Sequence, residues 1–113
     1  MPFINLKTTE AISREAEDRL LADFGRLIEI LPGKSDEWLM SELSGERRLF
    51  FRGENAPAAI LEISVFGKCL PEDYNRLTAA VTESVSRELS IRPDRIYVKY
   101  TECDHWGYDG ENF

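Results

Sequence analysis

The sequence predicts an α+β fold made of a duplicated β-α-β unit, with both helices on one face of a sheet. Three observations carry this. Residues 13–31 and 71–89 place apolar side chains at steps of three and four, the spacing of amphipathic helices. Residues 56–67, "APAAILEISVFG", alternate instead, with Ala59, Leu61, Ile63 and Val65 on one face and Ala58, Ile60, Glu62 and Ser64 on the other. The two halves also echo each other. "LPGKSDEWLMSE" and "LSIRPDRIYVKY" each run from a helix end through a basic residue and an aspartate into a strand.

The elements follow in order. "INLKT" is short and β-compatible. In the first helix Ile12, Ala16, Leu20, Phe24, Leu27, Ile28 and Leu31 form the apolar stripe. Ser13 is placed to cap it, and Glu15 and Glu17 suit the positive end of the helix dipole. Pro32-Gly33 stops it. "EWLMSEL" reads as a strand, and "SGERRLFF" as a turn feeding another short one. The second helix starts with Pro71 in its first turn, followed by Glu72 and Asp73. Its stripe is Tyr74, Leu77, Val81, Val85 and Leu89. "RPDRIYVKYTE" is a strand, and the glycine-punctuated tail "HWGYDGENF" a short edge strand or an ordered terminus. Right-handed crossovers make the strands of each β-α-β unit parallel. The far sheet face then carries Ala58, Ile60, Glu62, Ser64, Tyr97 and Lys99. That mixture is too polar for a core and too apolar for water, so an oligomer that covers it is expected.

Bulk properties narrow the function. A chain of 113 residues is expected to form one domain, 1–113, around one core. The net charge of -7 argues against a nucleic-acid surface, which needs a basic patch. No apolar run approaches a bilayer span and the start has no signal-peptide character, so neither a membrane nor a secretory route is expected. Cys69 and Cys103 are far apart and read as free thiols of a reducing compartment, which points to the cytoplasm. His105 is the single histidine, with no cluster around it to hold a metal.

Five motifs at consistent spacing, "MPFI", "GKSDEWLM", "VFGK", "RPDRIYVKY" and "WGYDGENF", resemble the macrophage migration inhibitory factor family of the tautomerase superfamily. The resemblance covers essentially the whole chain. It implies a four-stranded mixed sheet with two antiparallel helices on one face and short edge strands. It further implies a homotrimer, with three sheets around a channel and active sites between subunits. Carried over by position, Pro2 matches the catalytic N-terminal proline once Met1 is removed, and Lys34 the pocket lysine. Phe66 matches the residue whose backbone N–H faces the substrate carboxylate, and Tyr97 the tyrosine that a neighbouring subunit supplies. Trp38, Tyr108 and Phe113 match aromatic wall positions. The chain departs from the family pattern at Val65-Phe66, which makes the pocket edge bulkier, and at Lys99 in place of an asparagine. Trp106 lies on the other side of Gly107 from the usual tail tryptophan. "APAAIL" replaces a thiol pair, so thiol-disulfide activity is not expected.

The implied chemistry is keto–enol tautomerisation of an arylpyruvate such as phenylpyruvate. Such a reaction needs a base that is neutral near pH 7. A free α-amine titrates near 8, which leaves about a tenth neutral at pH 7; a pKa of about 6 makes about nine tenths neutral, at a cost of roughly 2.7 kcal/mol. Burial among Phe3, Trp38, Phe66 and Phe113 and repulsion from Lys34 both push in that direction. Lys34 and the Phe66 N–H suit a carboxylate or a developing enolate oxygen, and Tyr97 a carbonyl oxygen. No metal or organic cofactor is required. The alternative is a cytokine-like protein of the same fold, with a protein receptor, secretion without a signal peptide and vestigial catalysis. Glu62 has no role in either reading.

Overall fold

A computed structural model describes residues 1–113. Strand β1 (Pro2–Thr8) leads to helix α1 (Arg14–Leu27), then β2 (Met40–Ser44), β3 (Ala59–Phe66), helix α2 (Pro71–Leu89) and β4 (Ile96–Cys103). The tail adds β5 (Gly107–Tyr108) and β6 (Glu111–Asn112). The main sheet has the order β2-β1-β3-β4. Its outer pairs, β1 with β2 and β3 with β4, are parallel, and the central pair β1 with β3 is antiparallel. Each parallel pair is one β-α-β unit, so the duplication legible in the sequence is the architecture of the sheet.

One face of the sheet carries the core. Ile4, Leu6, Leu61, Ile63 and Val65 are sealed against Leu20, Phe24 and Ile28 from the first helical segment and Leu77, Val81 and Val85 from α2. Each such aliphatic side chain removed from water contributes about 1.5–3 kcal/mol. The helices run antiparallel. Arg19 of α1 pairs with Glu88 of α2, while Asp23, one turn on, takes hydrogen bonds from Ser84, one turn back, and from Arg87. No helix is long and apolar enough to cross a membrane.

Ser13 caps α1 by accepting the Ala16 N–H, as its position predicts. The helix ends at Leu27 and its expected last turn is a 3-10 turn, Ile28–Ile30. The strand expected from Glu37 begins instead at Met40, because Asp36–Trp38 wind into another 3-10 turn. Its counterpart Pro93–Arg95 precedes β4, so both copies of the repeat share this entry. The short strand expected before residue 51 does not form; Phe51 makes only an isolated bridge with Glu54. Arg95 organises that segment instead. Its guanidinium donates to the carbonyls of Phe51, Glu54, Ala56 and Pro57 and lies over the Phe51 ring. The tail strands β5 and β6 pair with each other as a separate ribbon and not with the edge of the main sheet.

The outer face holds the mixed row seen in the sequence. Glu62 accepts from Lys7 at 3.0 Å and lies 3.2 Å from Lys99. Hydrogen bonds from these two ammonium groups hold the Glu62 carboxyl below its usual range. Glu62 is thereby accounted for as the centre of a cross-strand charge triad. Tyr97 on this face is 60% exposed.

Candidate active site

Pro2 is the first residue of β1, the place in a strand where a missing N–H costs least. It is buried and paired with Val65. One residue beyond Val65, Phe66 ends β3, and Gly67 turns the chain with a φ of 81°. The Gly67 N–H donates to the Cys103 carbonyl at 3.0 Å, which closes the ends of β3 and β4 together.

Two bonds made by Phe66 organise the site. Its N–H donates to the carbonyl of Met1 at 3.0 Å. Its own carbonyl accepts from Nζ of Lys34 at 2.8 Å. Lys34 is delivered there by the helix stop. Gly33 adopts a φ of 80° and the Lys34 N–H donates back to Leu31. The Met1 amine is held below its ordinary 8.0, first by burial and then by repulsion from Lys34. A cation at the first nitrogen of the chain is therefore already disfavoured in two ways.

The aromatic wall is assembled from two elements. Trp38 ends its 3-10 turn, whose Asp36 carboxylate comes within 2.5 Å of where a Cβ on Gly25 would be. A Cβ at residue 25 would require the exposed Asp36 side chain to move. The tail ribbon supplies Tyr108 and Phe113, and the Phe113 N–H donates to the Trp106 carbonyl. Tyr108 meets Trp38 edge-on at 5.2 Å and stacks on Phe113 at 6.4 Å, while Phe113 tilts onto Phe66 at 5.7 Å. Four aromatic residues named from the sequence thus form one continuous run from Phe66 to Trp38.

Beside Pro2 opens a cleft of about 580 Å³. Met1, Pro2, Trp38 and Tyr108 line it, and so do Glu37, Met40, Ser64, Cys103 and Trp106, which the sequence reading did not select. Strand register was the missing signal. Met40 and Ser64 flank Phe3 in one row across the sheet, and Cys103 lies opposite Phe66. Lys34, Phe66 and Phe113 do not line this cleft; Phe66 bonds to Met1 and Lys34 and packs on Phe113.

Tyr97 is not brought to Pro2 within the chain. It pairs with Ile60 while Pro2 pairs with Val65, which separates them by roughly 17 Å along β3 at the usual strand rise. There it packs on Phe51 at 5.0 Å, beside a small apolar cavity of about 160 Å³ bordered by Leu49, Phe50 and Ile60. A phenol so placed meets an amine such as Pro2 only across a contact between two copies of the chain.

The sequence and the fold find matches among known proteins. The curated "MIF-like protein mif-2" of Caenorhabditis elegans is 27% identical over 103 residues, covering 88% of this chain and 82% of its own. The crystal structure of Leishmania major MIF2 superposes with a TM-score of 0.93 at 27% identity, covering 100% of this chain and 97% of that one. The macrophage migration inhibitory factor homologue of Prochlorococcus marinus gives a TM-score of 0.87 at 24% identity, with 98% of each chain covered. The description of the macrophage migration inhibitory factor (MIF) family matches residues 1–113, and the chain belongs to that family.

Proposed function

We propose that the protein is a cofactor-independent keto–enol tautomerase of 2-oxo acids that carry an aryl group, phenylpyruvate being the representative substrate. Removal of Met1 turns the Pro2 nitrogen from an amide into a secondary amine, and that amine is the base. Its ring fixes the lone-pair direction. The neutral amine takes the enol O–H proton and returns one to the adjacent carbon, so nothing but the proton changes place. Lys34 and the Phe66 N–H hold the carboxylate or the enolate oxygen, whose charge builds as the proton leaves. Trp38, Tyr108 and Phe113 receive the ring. Tyr97 of a second copy, in a homotrimer, donates to the carbonyl oxygen.

The observation that carries this reading is the pair of bonds at Phe66. The oxygen of the Met1 carbonyl, whose carbon is bonded to the Pro2 nitrogen, already accepts the Phe66 N–H. It marks an oxygen position beside the base that a backbone donor serves, one residue pair from the Lys34 ammonium. The test is ketonisation of enol-phenylpyruvate by protein whose intact mass shows loss of Met1, beside a Pro2→Gly variant. Fast ketonisation that falls at least a hundredfold in the variant supports the proposal. A processed protein no faster than buffer overturns it.

A further inference from the structure

Lys99 stands on the same face of β4 as Tyr97, two residues and roughly 7 Å further along at the usual strand rise. Its side chain is 61% exposed, and its ion pair is with Glu62 at 3.2 Å. Glu62 also holds Lys7, at 3.0 Å. One carboxylate therefore serves two ammonium groups. Lys99 can turn away from Glu62 without stranding it, because Lys7 stays, and an exposed ion pair of this kind is weak. Lys99 is the spare cation of the outer face. The cleft beside Pro2 offers the opposite charge. Of its 12 lining residues Glu37 alone carries a carboxylate, and none of the ion pairs of the chain includes it. Lys34 is turned to the Phe66 carbonyl and does not line the cleft.

Resting on the tautomerase reading, in which a second copy brings its Tyr97 to Pro2, we propose that Lys99 of that same copy admits a second carboxylate to the site. The substrate class is then the 2-oxo acid whose aryl ring bears a further carboxylate. Lys34 and the Phe66 N–H hold the first carboxylate, and Tyr97 meets the carbonyl oxygen. The far end of the ring, several bonds beyond that carbonyl, falls to Lys99, two residues beyond Tyr97. Without Lys99 a carboxylate there faces Glu37 alone, and like charges a few ångströms apart repel even near a solvated surface. With Lys99 the charge of Glu37 is offset and the carboxylate has a counter-ion.

Processed wild type, Lys99→Met and Lys99→Arg are compared for kcat/KM on the enols of phenylpyruvate and 4-carboxyphenylpyruvate, which differ only in the second carboxylate. The ratio of diacid to monoacid is expected to fall roughly three- to tenfold in Lys99→Met, the scale of one solvated charge pair. The fall should come mainly from a higher KM for the diacid, recover in Lys99→Arg and shrink in about 0.5 M sodium chloride. An equal ratio in wild type and Lys99→Met overturns the proposal. Mixed oligomers test whether the residue acts across copies. A Pro2→Gly chain lacks the base and keeps Lys99, and a Lys99→Met chain has the reverse. Coexpressed, they should turn over the diacid faster than the mean of the two parent proteins, and a rate at that mean overturns the proposal. Binding separates it from the catalytic reading. The chain has 2 tryptophans, and both Trp38 and Trp106 line the cleft, so their fluorescence reports occupancy without turnover. If no protein turns over either enol, the tautomerase reading fails. A selective loss of affinity in Lys99→Met for 3-(4-carboxyphenyl)propionate over 3-phenylpropionate then still upholds the role of Lys99. Unchanged selectivity between these two ligands overturns it even where catalysis is fast.

Discussion

The backbone N–H of Phe66 donates to the carbonyl oxygen of Met1 at 3.0 Å, and that carbonyl belongs to the peptide bond that acylates Pro2. One residue therefore withholds both the basic lone pair and the donor beside it. Protein kept with Met1 in place should ketonise enol-phenylpyruvate at least a hundredfold more slowly than processed protein, the range expected for loss of a general base. Stopped-flow absorbance on two samples separated by intact mass measures this. Equal rates would place the base elsewhere.

The pH profile carries its own sign. Burial and the Lys34 charge both disfavour the ammonium form of the terminal amine, so its pKa lies below 8.0. If the Pro2 amine that processing exposes meets the same burial and the same Lys34 charge, the kcat/KM of the processed protein should rise with pH to a plateau as that amine loses its proton. Lys34→Met removes the like charge and so raises the pKa, and the midpoint should move to higher pH while KM increases. An unchanged midpoint would mean that burial alone sets the amine.

Arg95 serves four carbonyls of residues 51–57 at 2.9–3.2 Å. Arg95→Ala should destabilise the fold by about 1.5–3 kcal/mol, the scale of hydrogen bonds to a charged group. Hydrogen exchange should quicken most in this segment, ahead of β3. Arg95→Lys keeps the charge but not the planar fork, and should recover less than half of the loss. Urea unfolding with peptide-resolved exchange tests both.

Asp23 ties the helices together. Its partial burial works against the charged form, but hydrogen bonds from Ser84 and Arg26 and the charge of Arg87 outweigh it and hold the carboxyl below 3.8. A depressed folded pKa contributes stability that is complete above the ordinary carboxylate value and is lost as pH falls through the folded one. Asp23→Asn should cost about 1–3 kcal/mol at pH 7. The difference between variant and wild type should narrow below pH 4 in denaturant titrations.

Much of this molecule is legible along the chain where a single period dominates. The α2 bounds, the Ser13 cap and the alternation of β3 follow from local pattern and emerge as expected. The 3-10 turn at Asp36–Trp38 does not, although its counterpart at Pro93–Arg95 shows it to be common to both copies of the repeat. Residues 44–51 read as a turn feeding a short strand, but Phe51 makes only an isolated bridge with Glu54, and Arg95 gathers the carbonyls of Phe51, Glu54, Ala56 and Pro57. At the site, Pro2, Lys34, Phe66, Trp38, Tyr108 and Phe113 were found by resemblance, and they do converge around one end of β1. Glu37, Ser64, Cys103 and Trp106 were missed because their membership depends on register across strands and on the fold of the tail. Tyr97, named by motif, lies remote from Pro2 within the chain, at the other end of β3.

The convergence of carbonyl oxygens on Arg95 has the form of a chelate. Loops of this kind are often held by a calcium ion, whose oxygen ligands include backbone carbonyls. Here the cation is an amino acid, tethered to the next strand and unable to dissociate. The order of residues 51–57 is thus independent of ionic supply and immune to chelators, and Phe51 stays beneath Tyr97 in any compartment the protein enters.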